Sequence, residues 1–129
     1  MGGGTNHRMS LSQGALIKDN HIAAAGSVTK AIESVQQEFP GTEIEVEVDS
    51  IDQLKEALNT KVDIILLDNM SIEETKAAVE LTKGSQTKLE SSGGLKLENA
   101  KAYASTGVDY LAVGALTHSA PVLDIGLDF

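Results

Sequence analysis

Apolar runs that end abruptly in a polar cluster recur along this chain, and each is followed by a segment with helical spacing. Leu16-Ile17 runs into Lys18-Asp19-Asn20-His21, and Glu43–Asp49 ends in Glu47-Val48-Asp49. Ile64–Leu67 runs into Asp68-Asn69, and Leu111–His118 passes through Gly114 to His118. Strand and helix patterns in alternation imply a parallel sheet, because a parallel pair needs a long crossover between its strands. In such sheets the loops at the carboxyl ends of the strands converge, and sites are built there.

Strands are expected at Ala15–Lys18, Glu43–Val48, Asp63–Leu67, Lys88–Ser91 and Tyr110–Val113. Ser27 can cap a helix whose apolar positions are Val28, Ala31, Ile32, Val35 and Phe39, ended by Pro40-Gly41. Ser50-Ile51-Asp52-Gln53 and Ser71-Ile72-Glu73-Glu74 have capping-box form. The first opens a helix with Ile51, Leu54 and Leu58, and the second a helix to about Lys83. A further helix is expected over Leu97–Ser105 with Gly107 as its cap, and a turn of helix or a loop after Ser119.

Five such units imply either a barrel or an open doubly wound sheet. A complete (β/α)8 barrel takes roughly 200 residues or more, and this chain has 129. Gly2-Gly3-Gly4-Thr5-Asn6-His7-Arg8 reads as an internal loop rather than a protein start. The chain is therefore expected to be part of a larger domain.

The net charge is -9, which argues against a nucleic-acid surface. An anionic substrate must be drawn in by a few local cations or a metal, and Arg8 is the lone arginine. The chain has no cysteine, which removes disulfides and thiolate metal sites. No apolar stretch approaches the ~20 residues of a membrane span, so a cytoplasmic protein is expected.

Lys18, Glu47, Asp68, Ser92 and Gly114 all fall at or near strand ends, so a parallel sheet would gather them at one mouth. Glu47 and Asp68 on adjacent strands can hold Mg2+ or accept hydrogen bonds from sugar hydroxyls. Glu45 and Glu47 share a face, which is costly to bury unless a cation such as Lys18 or a metal offsets it. The alternative is an edge strand with one wet face. Ser92-Gly93-Gly94 and Val113-Gly114-Ala115 have the form of phosphate-binding turns, although each could be an ordinary turn. His7, Arg8, His21 and His118 are the remaining cationic or hydrogen-bonding candidates, and their spacing fits no zinc pattern.

Seven segments resemble quinolinate phosphoribosyltransferase, in order from end to end. They are Gly2–Arg8, Leu16–Ile22, Glu45–Asp49, Ile65–Met70, Glu90–Gly94, Thr106–Tyr110 and Val113–Ala120. The resemblance implies an α/β fold of parallel β/α units, the C-terminal part of a TIM-like barrel, open or incomplete. It implies phosphoribosyl transfer from phosphoribosyl pyrophosphate to quinolinate with decarboxylation, giving nicotinate mononucleotide, pyrophosphate and CO2 in NAD biosynthesis. Mg2+ is the implied cofactor and a homodimer or higher homo-oligomer the implied assembly, with no nucleic-acid or membrane partner. Lys18, Glu47 and Asp68 would be catalytic. His7, Arg8 and Lys18 would meet the quinolinate carboxylates or nearby phosphates. Glu47 and Asp68 would hold the ribose hydroxyls and Mg2+, while Ser92, Gly93, Gly114 and His118 would cradle the 5-phosphate.

Members of that family are about twice as long, with an N-terminal sandwich domain, early barrel strands and further arginines ahead of the glycine-rich loop. Residues 1–129 are thus expected to be the C-terminal portion of the barrel domain, inactive alone. Ser91 stands where the family commonly has a small residue such as alanine. Two competing readings are a related phosphoribosyltransferase with another acceptor and a non-catalytic sugar-phosphate-binding or assembly fragment. The Lys18-Asp19-Asn20-His21 block argues against the paralogue linked to molybdenum transport.

Overall fold

The structure, a computed structural model, describes residues 3–4, 14–118, 123 and 125–126. Its elements are β1 (Ala15–Ile17), α1 (Asp19–Ala25), α2 (Val28–Glu38), β2 (Ile44–Val48), α3 (Ile51–Leu58), β3 (Ile64–Asp68), α4 (Ile72–Thr82), β4 (Lys88–Ser92), α5 (Leu97–Ala104), β5 (Tyr110–Leu111) and α6 (Ala115–His118). The strands form one sheet in the order β1-β2-β3-β4-β5, and every pair is parallel. A doubly wound sheet reverses its strand order at a switch point; this one does not. Each helix from α1 to α5 packs against the next, so the helices form one continuous layer. The singly wound, barrel-type reading holds, and among the described residues the sheet stays open.

The register sorts the side chains into two faces. Ile17 lies beside Val46, Val46 beside Ile65, and Ile65 beside Leu89, and all four are at most 2% exposed. Val28, Ile32, Leu54, Ala57 and Ala78 of the helices close over this row to make the core. The opposite face carries the in-register rows Leu16, Glu45, Ile64, Lys88 and Glu47, Leu66, Glu90, Tyr110. One face is thus nearly wholly apolar and the other mixed, as period-two alternation demands. The edge-strand alternative for β2 fails, because β1 and β3 flank it and Glu45 is only 6% exposed.

Most helix starts follow the expected chemistry. Ser27 Oγ accepts from the Lys30 N–H, and the Ser71–Glu74 box closes in both directions. The Ser50 box is only half formed. Ser50 Oγ accepts from the Gln53 N–H, but Gln53 Oε1 reaches past Ser50 to the Asp49 N–H. Glu56 of α3 also caps α2, accepting the Thr29 N–H at 2.9 Å, a bond that holds its carboxyl below the usual range. Helix α1 is an addition to the expected elements. Its signals are Asp19 in the first turn, the Ala23–Ala25 run and Gly26 at φ 88°, a left-handed C-cap. Strand β5 is shorter than expected, although the Ala112 N–H still donates to the Ser91 carbonyl.

Two aspartates fasten the amino ends of the strands. Asp63, just ahead of β3, accepts the Ile44 N–H on Oδ2 at 2.8 Å, and its own N–H returns to the Ile44 carbonyl. Asp109, just ahead of β5, does the same with Leu89 and also accepts from Lys88 Nζ at 2.9 Å. Burial pushes the Asp109 carboxyl up, but the Leu89 and Lys88 hydrogen bonds and the lysine's charge outweigh it and hold it below the usual aspartate value. The stability it contributes is present above the unfolded aspartate range, near pH 4, and is lost as pH falls through the lower folded value. Asp109→Asn is expected to flatten the acid limb of a stability-versus-pH curve measured by urea unfolding.

Ser91 faces the helices and is 1% exposed, and its hydroxyl makes no hydrogen bond among the described residues. A buried hydroxyl without a partner is destabilising. Ser91→Ala is expected to raise stability by about 1 kcal/mol, read as an increased denaturant midpoint at constant m-value.

Candidate functional site

Parallel strands place their carboxyl ends on one rim, and the expected residues of the described segments gather there. Lys18 follows β1, Glu47 lies near the end of β2, Asp68 and Ser92 end β3 and β4, and Gly114 stands between β5 and α6. Lys18 Nζ lies 3.5 Å from Glu47 Oε2, with the lysine side chain 52% and the glutamate side chain 20% exposed. The cation therefore crosses from β1 to its neighbouring strand. It balances a carboxylate that is mostly out of water.

Asp68 shares its face with Glu47. Glu47 sits opposite Leu66, and Asp68 lies two residues further along β3. One strand spacing and two residues of rise put the two Cα atoms about 8 Å apart. Among the described residues, no group of three or more histidines, aspartates or glutamates could hold a metal ion. A carboxylate pair suits Mg2+ all the same, since that ion keeps several waters and takes one or two carboxylates together with substrate phosphates.

The tips of β3 and β4 are locked together. Asp68 pairs with Ser92 in the ladder, and the Asn69 N–H donates to the Ser92 carbonyl at 3.1 Å. Asn69 has φ 53°, the one positive value at a non-glycine among the described residues. Its Nδ2 donates to Asp68 Oδ2 at 2.8 Å. Gly93, at φ 85°, lies so close that a Cβ there would come within 2.5 Å of Asn69 Cγ and 2.8 Å of its backbone nitrogen. Gly93 is therefore required both by its backbone conformation and by the approach of Asn69. Asn69 was not among the sequence candidates. Its signal was an asparagine directly after a strand, the residue that best tolerates the left-handed region after glycine.

His21, a hydrogen-bonding candidate, serves the backbone. Its Nδ1 accepts the Lys18 backbone N–H at 3.0 Å, so it closes the first turn of α1. The Gly114 carbonyl accepts from the Thr117 N–H and hydroxyl, which shapes the turn into α6. His7 and Arg8 lie outside the described residues, as does the side chain of His118.

A singly wound parallel sheet with carboxylates, a lysine and glycine turns on its carboxyl rim defines an α/β protein of the barrel class. The chain belongs to the quinolinate phosphoribosyl transferase family, matching its C-terminal domain over residues 1–128. It is 55% identical to the nicotinate-nucleotide pyrophosphorylase [carboxylating] of Mycobacterium leprae over 99% of its own length and 46% of the relative's. It is 43% identical to the probable enzyme of that name from Bacillus subtilis, covering 44% of it. The crystal structure of the Ehrlichia chaffeensis nicotinate-nucleotide pyrophosphorylase superposes with a TM-score of 0.88 at 47% identity, over 98% of this chain and 46% of that one. The Francisella tularensis structure gives 0.85 at 42% identity, over 90% of this chain and 41% of that one. The chain thus spans about half the length of the curated relatives it matches.

Gly93→Ala is expected to destabilise the chain by roughly 1–3 kcal/mol, because both the positive φ and the contact with Asn69 oppose a methyl group. Thermal unfolding would check it, and a change within about 0.3 kcal/mol would count against the described packing.

Proposed function

We propose that the protein transfers a phosphoribosyl group from phosphoribosyl pyrophosphate to quinolinate. The 2-carboxylate leaves as CO2, giving nicotinate mononucleotide and pyrophosphate. This chain would supply the phosphoribose half of that site. The observation that carries the reading is the convergence of Lys18, Glu47, Asp68, Ser92 and Gly93 on one rim in a member of this family.

The chemistry fits those groups. Displacing pyrophosphate from the ribose carbon builds positive charge on the sugar and negative charge on the leaving group. Glu47 and Asp68 would bind the ribose hydroxyls and stabilise the cationic sugar, and Lys18 would meet anionic oxygens. Glu47 and Asp68 would hold Mg2+, which would supply charge neutralisation for the departing pyrophosphate. Ser92, Gly93, Gly114 and His118 would receive the 5-phosphate, the glycines by letting backbone N–H groups come close. His7 and Arg8 would face the quinolinate carboxylates. No nucleophilic side chain is needed.

The residues upstream in longer relatives would complete the barrel and the acceptor site. A homodimer or higher homo-oligomer is the assembly the family resemblance implies, and for the 129-residue chain by itself the edges at β1 and β5 would favour self-association. The charge of -9 favours neither nucleic acid nor an anionic membrane surface as a partner. Among the described residues no helix is long and apolar enough to cross a membrane; a cytoplasmic location is part of the proposal.

Calorimetric titration tests the reading. The 129-residue chain is expected to bind phosphoribosyl pyrophosphate with Mg2+ and to form no nicotinate mononucleotide when quinolinate is added. Glu47→Gln is expected to weaken binding about tenfold by removing a charge-assisted contact. A folded chain without measurable binding would sink the proposal. Turnover abolished by Glu47→Gln would instead make the chain a minimal enzyme.

A further inference from the structure

Asn69 stands between the two halves of the rim. Its amide nitrogen holds Asp68 Oδ2 at 2.8 Å, its backbone N–H holds the Ser92 carbonyl at 3.1 Å, and its carboxamide lies against Gly93. The residue adopts the left-handed region, at φ 53°, where a side chain is disfavoured. A glycine would suit that backbone better, so the side chain itself has a use there. The amide donates to one carboxylate oxygen and so leaves Oδ1 as the atom of Asp68 free of that bond.

We infer that Asn69 is a positioning residue: it sets the rotamer of Asp68 and ties that carboxylate to the Ser92–Gly93 turn. The inference rests on the assignment of Asp68 to the phosphoribose site. An unrestrained aspartate samples several rotamers, and each rotamer that aims its oxygens elsewhere lowers the fraction of chains ready to bind. The clasp removes those states before the ligand arrives. It also makes the distance between the carboxylate and the phosphate turn a property of the fold, since Asn69 touches both.

Asn69→Gly is the informative substitution. It keeps the left-handed backbone and the N–H to Ser92 while removing the amide. Mg2+-dependent binding of phosphoribosyl pyrophosphate would be measured for the parent chain, Asn69→Gly, Asp68→Asn and the double variant. Asn69→Gly is expected to bind about tenfold more weakly than the parent, with a melting temperature within about 2 °C of it. In the Asp68→Asn background the same substitution is expected to have no further effect, because the group it positions is already neutral. A residue with a merely structural role would weaken binding equally in both backgrounds. Equal weakening in both backgrounds, or no weakening in the parent, overturns the inference while leaving the phosphoribose reading intact. A folded parent that binds nothing overturns both.

Discussion

Five parallel strands taken in chain order force each connection to run from the carboxyl end of one strand back to the amino end of the next. The connecting helices cover one face of the sheet, and the polar tips all arrive at one rim. The in-register row of Ile17, Val46, Ile65 and Leu89 is what holds this arrangement. A slip of one residue in any strand would bring its polar positions under the helices and its apolar ones to the other face. In β2 that would bury Glu45 and Glu47 in the core. The register is therefore fixed by burial, and the site geometry is fixed by the register.

The two ends of the strands use the same side-chain chemistry for different purposes. At the amino ends, Asp63 and Asp109 each turn one oxygen to a backbone N–H of the adjacent strand, and Asp109 turns the other to Lys88 Nζ. At the carboxyl ends, Glu47 is balanced by a half-exposed lysine, and Asp68 is held through one oxygen by Asn69. Carboxylates bonded to a neighbouring strand's N–H fasten the sheet, while those at the rim bond only to side chains in the described contacts and keep an oxygen available for a ligand.

Much of this was legible in the sequence because its signals are local. The strands follow from short apolar runs, and the start of α4 follows from the spacing of Ser71 and Glu74. The rim residues follow from their position at strand ends, once parallel pairing is granted. Helix α1 was obscured because its first turn is made of Lys18-Asp19-Asn20-His21, which reads equally well as a polar loop tip. The alternatives for β2 could not be separated by alternation alone, since an edge strand and a covered strand share that pattern. The clasp at Asn69 was illegible for another reason. It depends on β3 and β4 ending at the same height, a fact of register that no stretch of sequence states. Family membership, in turn, was carried by ordered motifs, several of which are structural. Asp109 lies in one of those motifs and serves the sheet rather than the rim.

The aspartate fasteners gather the strands in pairs at their amino ends. Strands pinned at one end and joined only by ladder bonds and tip contacts at the other resemble the ribs of a fan gathered at its pivot. Small adjustments at the open end then need not disturb the gathered end. Loops at the rim can change length or composition while the pivot keeps the ribs in order, so such a scaffold can acquire new specificities without first losing its shape.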